Sequence, residues 1–253
     1  MKILKTVADT KKEFAILKKE GKSVGFVPTM GALHDGHISL IMKCRNENDI
    51  TVASIYINPT QFNDAADYRN YPVTLDADRE ILERIRVDYL FLPDYNEMYP
   101  DGYAYSVEEN NLSRILCGAS RPGHFKGVLT VVLKLLNIIK PDRAYFGEKD
   151  YQQYLLLKGM AEAFFLDSHI IPVPIVREET GLALSSRNVL LDENARKTAP
   201  LFYQVLSSAK SCEEAVEILQ RSGFQVDYVQ DIGKRRYGAV ILGNVRIIDN
   251  VQL

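Results

Sequence analysis

The chain has 253 residues, 46% of them apolar and 25% charged, with a formal net charge of −2 and a pI near 6.1. This is the composition of an ordinary globular protein, at a length that accommodates one large α/β core and a smaller companion. So balanced a charge excludes the electrostatic footprint of nucleic-acid or anionic-membrane binding, and small-molecule chemistry becomes the expectation.

In chain order, Lys2, Lys5, Lys11, Lys12 and Glu13 interrupt any apolar signal-peptide core. Residues 9–20 read as a helix ending at Gly21. Residues 23–27 and 50–57 read as buried strands, with 38–48 as the crossover helix of a βαβ unit. A helix over 75–86, a strand over 89–92 and a strongly apolar helix over 127–139, closed by Pro141, follow. Next come a strand at 144–146, a helix at 151–165 and a strand at 170–173. The alternation predicts the α/β class, a Rossmann-like doubly wound parallel sheet over residues 1–175. Beyond it the order changes to helical patterns at 193–209 and 212–221 and then short strands at 224–229, 238–242 and 245–248. That succession predicts a smaller C-terminal α+β domain over 176–253.

No apolar run reaches the roughly 18 residues a membrane helix needs; even 128–139 is broken by Lys134 and Asn137. A cytoplasmic protein is expected. Cys44, Cys117 and Cys212 are odd in number and lack CxxC spacing, so neither a disulfide framework nor a thiolate metal site is expected.

Five segments carry chemistry. In Gly25-Phe-Val-Pro-Thr-Met-Gly-Ala-Leu-His-Asp-Gly-His37 a strand ends in a glycine-bearing turn, and a helix is expected to begin just after His37. Free backbone N–H groups and the positive end of a helix dipole make such a place an anion site, and His34 and His37 add donors for phosphate oxygens. Plain turn histidines, or half of a zinc site completed by Cys44, are the alternatives. A Walker loop is excluded because Ile16 stands where Gly21-Lys22-Ser23 needs its first glycine. A dinucleotide fingerprint is excluded by the spacing of Gly31 and Gly36.

The second segment, Tyr56-Ile-Asn-Pro-Thr-Gln-Phe62, lies at a strand's carboxyl end, where Asn58 and Gln61 can hold a hydroxyl or carboxylate and Phe62 can form an apolar wall, or the whole can be a turn around Pro59. The third places Arg121, His124 and Lys126 before the apolar helix, as an anion site or a solvated basic loop. In the fourth, Tyr145-Phe-Gly-Glu-Lys-Asp-Tyr-Gln-Gln153, Gly147 permits close backbone approach, Lys149 can stabilise a transferring phosphate, and Gln153 follows one helical turn later. Glu148-Lys149-Asp150 alternatively reads as a solvated helix cap. The fifth, running from Ile175 to Asn188, concentrates Ser185, Ser186 and Arg187 at the domain junction, as a phosphate clamp or a linker with a cap.

Together, VPTMGALHDGH, INPTQF, RPGHFKGV, AYFGEKDYQQ and LALSSRN resemble the pantothenate synthetase (pantoate:β-alanine ligase) family, nucleotidyltransferases with HIGH-type and KMSKS-like motifs. The resemblance implies a two-step ligase: pantoate attacks the α-phosphate of ATP, giving pantoyl adenylate and pyrophosphate, and β-alanine then displaces AMP. It implies an ATP site from Met30, Gly31, Ala32, Leu33, His34, Asp35, Gly36, His37, Gly147, Glu148, Lys149, Asp150, Val176, Leu184, Ser185, Ser186 and Arg187. His37 would be the general acid for the leaving group, with His34, Lys149, Ser185, Ser186 and Arg187 on the phosphates. Gln61 and Gln153 would hold (R)-pantoate, Gln61 lying also near β-alanine, with Asn58, Arg121 and His124 as further substrate contacts. Mg²⁺ on the triphosphate, a homodimer through the N-terminal domain and a lid role for residues 176–253 are also implied. Asp76 and Asp78 are candidate metal contacts, although their spacing does not compel it.

The chain departs from the family pattern at Leu184, usually Met, at Glu179-Thr180, commonly a Pro-Asp-like pair, and in a region after Val229 expected to be short for the family. Two other readings remain: a nucleotidyltransferase of the same superfamily that needs no amine, and a nucleotide-binding regulator that has lost turnover. Intact His34, His37, Lys149, Ser185, Ser186 and Arg187 argue against the second.

Overall fold

The computed structural model describes residues 1–253. Its main layer is built from β1 (Lys2–Leu4), α1 (Val7–Lys19), β2 (Val24–Thr29), α2 (Asp35–Glu47), β3 (Ile50–Ile55), α3 (Ala65–Arg69), α4 (Leu75–Arg84) and β4 (Tyr89–Phe91). It continues with α5 (Tyr95–Met98), α6 (Cys117–Ser120), α7 (His124–Ile139), β5 (Arg143–Gly147), α8 (Tyr151–Ala163) and β6 (His169–Val173). The six strands form one parallel sheet in the order β1-β4-β3-β2-β5-β6.

Strands buried on both faces read as continuous apolar runs, and β2 and β3 are of this kind. The edge strand β1 is not evident in the sequence, because its three residues, Lys2-Ile3-Leu4, are too few to show a period.

The chain winds outward from β2 in one direction through β3 and β4, then reverses through β5 and β6. The reversal lies between β2 and β5, the switch point where open parallel sheets leave a crevice. Here the two strands separate early: β2 pairs with β3 over six residues from Val24 to Thr29, but with β5 only at Gly25 and Phe26. The segments leaving the carboxyl ends of β2 and β5 are the His34–His37 and Gly147–Asp150 boxes. Beside the sheet lies α7, eleven of whose sixteen residues are buried. It ends at Lys140, in the left-handed region just ahead of Pro141.

The remainder is α9 (Glu193–Thr198), α10 (Pro200–Ser208), α11 (Cys212–Arg221), β7 (Gln225–Ile232), β8 (Arg235–Leu242) and β9 (Val245–Gln252). The single helix expected over 193–209 is two, because Pro200 opens α10 at its first turn. The three strands form an antiparallel meander, each eight residues long and so longer than expected. Charged residues truncate the apolar signal, yet they belong to the strands: Arg236, nearly buried, pairs with Asp231 at 2.8 and 2.9 Å. A separate apolar cluster from Leu182 to Val251 joins this sheet to α9, α10 and α11.

Candidate active site

The helix α2 begins at Asp35, inside the His34–His37 box and not after it. His34 is its N-cap: the ring Nδ1 accepts from the Gly36 N–H at 3.1 Å, while the His34 N–H donates to Nδ1 of His37 at 3.3 Å. This is a capping box in which two imidazoles replace the usual hydroxyl and carboxylate. Both Nδ1 atoms are acceptors, so each neutral ring carries its proton on Nε2, the nitrogen left for a ligand. The ring centroids are 4.1 Å apart.

Burial, reinforced by Lys149, lowers His34 to about 4. Burial followed by the charges of His34 and Lys149 lowers His37 to about 3. At neutral pH both rings are therefore uncharged hydrogen-bond donors.

The turn before α2 is held from a distance. Gly31 and Ala32 are left-handed, with φ of 82° and 51°. The buried carboxylate of Asp78 on α4 accepts from the Ala32 N–H at 2.9 Å and the Leu33 N–H at 2.8 Å. A side chain at position 31 would come within 2.9 Å of that same carboxylate. Asp78 is thus committed to the backbone and is no metal contact, while Asp76 is exposed on α4.

One cavity at the crevice is lined by Met30, His34, Gly36, His37, Gly147, Lys149, Asp150, Val176, Leu184, Ser185, Ser186 and Arg187, together with Gln61 and Gln153. Its remaining wall is apolar, from Tyr56 and from Val128, Val131, Val132 and Leu135 of α7. Those α7 residues repeat at helical spacing, a signal that by itself reads only as core. Gly31, Ala32, Leu33, Asp35 and Glu148 shape the backbone next to the cavity without lining it.

Asn58, Arg121 and His124 do not line it either; they stand behind Gln61. Asn58 is buried, donates to Gln61 Oε1 at 3.1 Å and accepts from the Tyr99 hydroxyl at 2.9 Å. His124 opens α7, donates from Nδ1 to the Gln61 carbonyl at 2.8 Å and meets Arg121 through Nε2 at 3.2 Å. Burial first, then Arg121, lowers His124 to about 4, so it too is neutral. Phe62 turns its ring onto Tyr68 and Tyr71 instead of into the cavity. Gly127 lets α7 touch this turn, since a Cβ there would lie 2.3 Å from the Thr60 carbonyl oxygen.

The fifth segment is a hairpin bridged between Arg177 and Ala183, with Glu179 and Thr180 exposed at its tip. From it, Ser186 Oγ donates to the Ala32 carbonyl at 3.0 Å, closing the chain onto the turn that precedes α2. Arg187 is gripped in two places by Asp67 of α3, at 3.0 and 2.9 Å, and lies over the Tyr71 ring. Arg121 approaches the same carboxylate at 3.8 Å. Asp67 and Tyr71 carry no motif; only their position after the Gln61 box points toward the site.

The cavity therefore joins a helix N-terminus with two neutral imidazoles, a lysine, an arginine and two serines, and two amide side chains against an apolar wall. Such a set can hold a polyanion beside a small molecule that has polar and apolar parts.

Comparison with known proteins agrees with that chemistry. The family model described as Pantoate-beta-alanine ligase matches residues 2–252. A protein of Bdellovibrio bacteriovorus named pantothenate synthetase is 55% identical over 236 residues, 93% of this chain and 94% of its own. A crystal structure of pantoate-beta-alanine ligase from Francisella tularensis, complexed with beta-gamma ATP and beta-alanine, superposes with a TM-score of 0.95. It is 44% identical and covers 100% of this chain and 97% of its own. Pantothenate synthetase from Thermus thermophilus gives a TM-score of 0.92 at 41% identity, covering 100% of this chain and 99% of its own. The expected shortening after Val229 does not separate the chain from these relatives, which it spans almost completely.

Proposed function

This chain belongs to the pantoate-beta-alanine ligase family, and on that premise we propose how its own residues carry the reaction. The enzyme joins pantoate to β-alanine with ATP, by way of an enzyme-bound pantoyl adenylate. A carboxylate resists attack by an amine because oxide is a very poor leaving group; adenylation replaces oxide with AMP.

Gln61 and Gln153 hold the hydroxyls and carboxylate of (R)-pantoate, while Tyr56 and the α7 valines receive its branched carbon. The triphosphate lies across the N-terminus of α2. In the first step the pantoate carboxylate oxygen bonds to the α-phosphorus as the bond to the β-phosphate oxygen breaks, and negative charge gathers on the departing pyrophosphate. His34 and His37 donate from Nε2 on one side of it, and Lys149, Ser185, Ser186 and Arg187 act on the other. Because His37 is neutral before ATP arrives, its first contribution is a hydrogen bond. The triphosphate charge then raises its basicity toward that of a proton donor.

In the second step the β-alanine nitrogen, as its free amine, bonds to the acyl carbon, the acyl carbon–oxygen bond to AMP breaks with the electron pair leaving on AMP, and the nitrogen gives up one proton to solvent. Gln61 would lie near this exchange, and the protein supplies no covalent nucleophile. The residues present hold no cage of three or more His, Cys, Asp or Glu ligands. This suits Mg²⁺ carried in on the triphosphate, with Asp150 as the cavity carboxylate available to it. When bound, the ion neutralises phosphate charge.

The observation that carries this reading is the meeting in one cavity of the His34–His37 cap, Lys149, the Ser185–Arg187 arm and the Gln61–Gln153 pair. Family membership supports a homodimer through residues 1–175, a lid role for residues 176–253 and a cytoplasmic location; sedimentation equilibrium tests the first of these. No helix is long and apolar enough to cross a membrane. The decisive assay is β-alanine-dependent formation of AMP and pantothenate from ATP and pantoate. Pyrophosphate release with no pantothenate at any β-alanine concentration would instead favour a nucleotidyltransferase.

A further inference from the structure

The C-terminal strand β9 carries two adjacent buried polar residues, Asp249 and Asn250, at 4% and 2% exposure, and no part of the reaction above uses them. Buried polar groups require partners, and these partners lie in the two segments that face the phosphates. The Asn250 side-chain nitrogen donates to the Glu148 carbonyl at 2.8 Å and to the Lys149 carbonyl at 3.0 Å. An amide nitrogen has two protons, so both are spent on successive carbonyls of the turn that bears Lys149. The Asn250 side-chain oxygen is in turn held by Arg235, whose guanidinium stacks on Tyr151 at 3.8 Å.

Asp249 holds the other segment. It takes Arg177 in two places, at 2.6 and 2.9 Å, and Arg177 also donates to the Gly181 carbonyl at 3.1 Å and stacks on Tyr203 at 3.8 Å. Arg177 starts the hairpin whose returning arm is Leu184–Arg187. Lys149 itself has only a loose side-chain partner, Asp150 at 3.8 Å. A four-carbon side chain on a flexible stem is placed chiefly by its backbone, and that backbone is anchored from β9.

We propose that Asn250 is a positioning residue for Lys149, and that the Asp249-Asn250 pair fixes the spacing between the Lys149 turn and the Ser185–Arg187 arm. The small C-terminal sheet then does more than cover the site; it sets the geometry of the cation that meets the departing pyrophosphate. This rests on the reading of Lys149 as a phosphate contact.

The test is pantoate-dependent ATP–pyrophosphate exchange in the full-length chain, without β-alanine, for Asn250→Ala, Lys149→Ala and the double variant. Displacing a charge stabiliser by a fraction of its bond length to the ligand predicts a loss of about 10- to 100-fold for Asn250→Ala. In the Lys149→Ala background the same change should cost less than about twofold, because its effect runs through Lys149.

Arg246→Ala is the control: it removes other contacts between β9 and the main layer, to Ser120 at 3.2 Å and Cys117 at 3.6 Å, and should leave exchange within about twofold of wild type. Should Asn250→Ala not fold, Asn250→Ser keeps one donor and predicts a smaller loss with the same non-additivity. Equal losses in the two backgrounds, no loss in either, or an equal loss in Arg246→Ala overturns the proposal. Absence of exchange in the wild type would instead overturn the functional reading on which it rests.

Discussion

Replacing Asp78 with Asn tests how the turn before α2 is held. The native carboxylate is 2% exposed and offers one oxygen to the Ala32 N–H at 2.9 Å and the other to the Leu33 N–H at 2.8 Å. Asparagine keeps the shape but turns one of these oxygens into an NH₂ group, which meets an N–H donor with another donor. One bond to a charged group is lost, one partly buried N–H is left unpaired and the surviving bond loses its charge, at a cost of about 2–4 kcal/mol. For a chain of this size each kcal/mol lowers Tm by about 2–4 °C, so a fall of roughly 4–16 °C is expected. Thermal unfolding by calorimetry or dye binding measures it. Ala32 and Leu33 also lead into the His34 cap, so KM for ATP should rise in the same variant. A Tm within about 2 °C of wild type together with an unchanged KM would refute the assignment of Asp78 as the tether of this turn.

Acid should destabilise the fold through its buried histidines. His37 is depressed to about 3, and His34 and His124 to about 4, against about 6.5 when unfolded. The unfolded chain therefore binds protons first, and stability present above about pH 6.5 is lost as pH falls toward 4 and then 3. His124→Gln should flatten the dependence of Tm on pH between 7 and 5, and an unaltered slope would count against the depressed pKa. Arg187→Lys keeps the charge but not the two-point contact with Asp67; kcat/KM for ATP should fall by about 10²-fold, and steady-state kinetics near the wild-type value would remove Arg187 from the phosphate clamp. Gly127→Ala would place a Cβ 2.3 Å from the Thr60 oxygen and 2.6 Å from the Gln61 nitrogen, costing about 1–3 kcal/mol and raising KM for pantoate. Unchanged stability and KM would mean that α7 does not set the position of Gln61.

The sequence by itself determined what local physics writes into short stretches. Buried strands alternating with amphipathic helices define the winding of the main sheet. A box such as His34–His37 is legible because its capping contacts span only two or three residues. Three of the five segments, the first, second and fourth, could also be assigned to strand ends, the edge at which this architecture binds ligands. Where local signals misled, the cause was local too: Pro200 split a helix that apolar spacing had joined, and charged residues hid the ends of β7, β8 and β9.

Tertiary structure alone decided which residues line the cavity and in what state. The tether from Asp78 to Ala32 spans 46 positions, that from Arg187 to Asp67 spans 120, and that from Asn250 to Lys149 spans 101. No periodicity encodes such pairings; they arise when packing brings distant backbone groups into a space without water, where each must find a partner. The same burial separates Asn58, Arg121 and His124, which support Gln61 from behind, from the residues that line the cavity. It also leaves His34 and His37 neutral, a property of desolvation that a motif of two histidines cannot reveal.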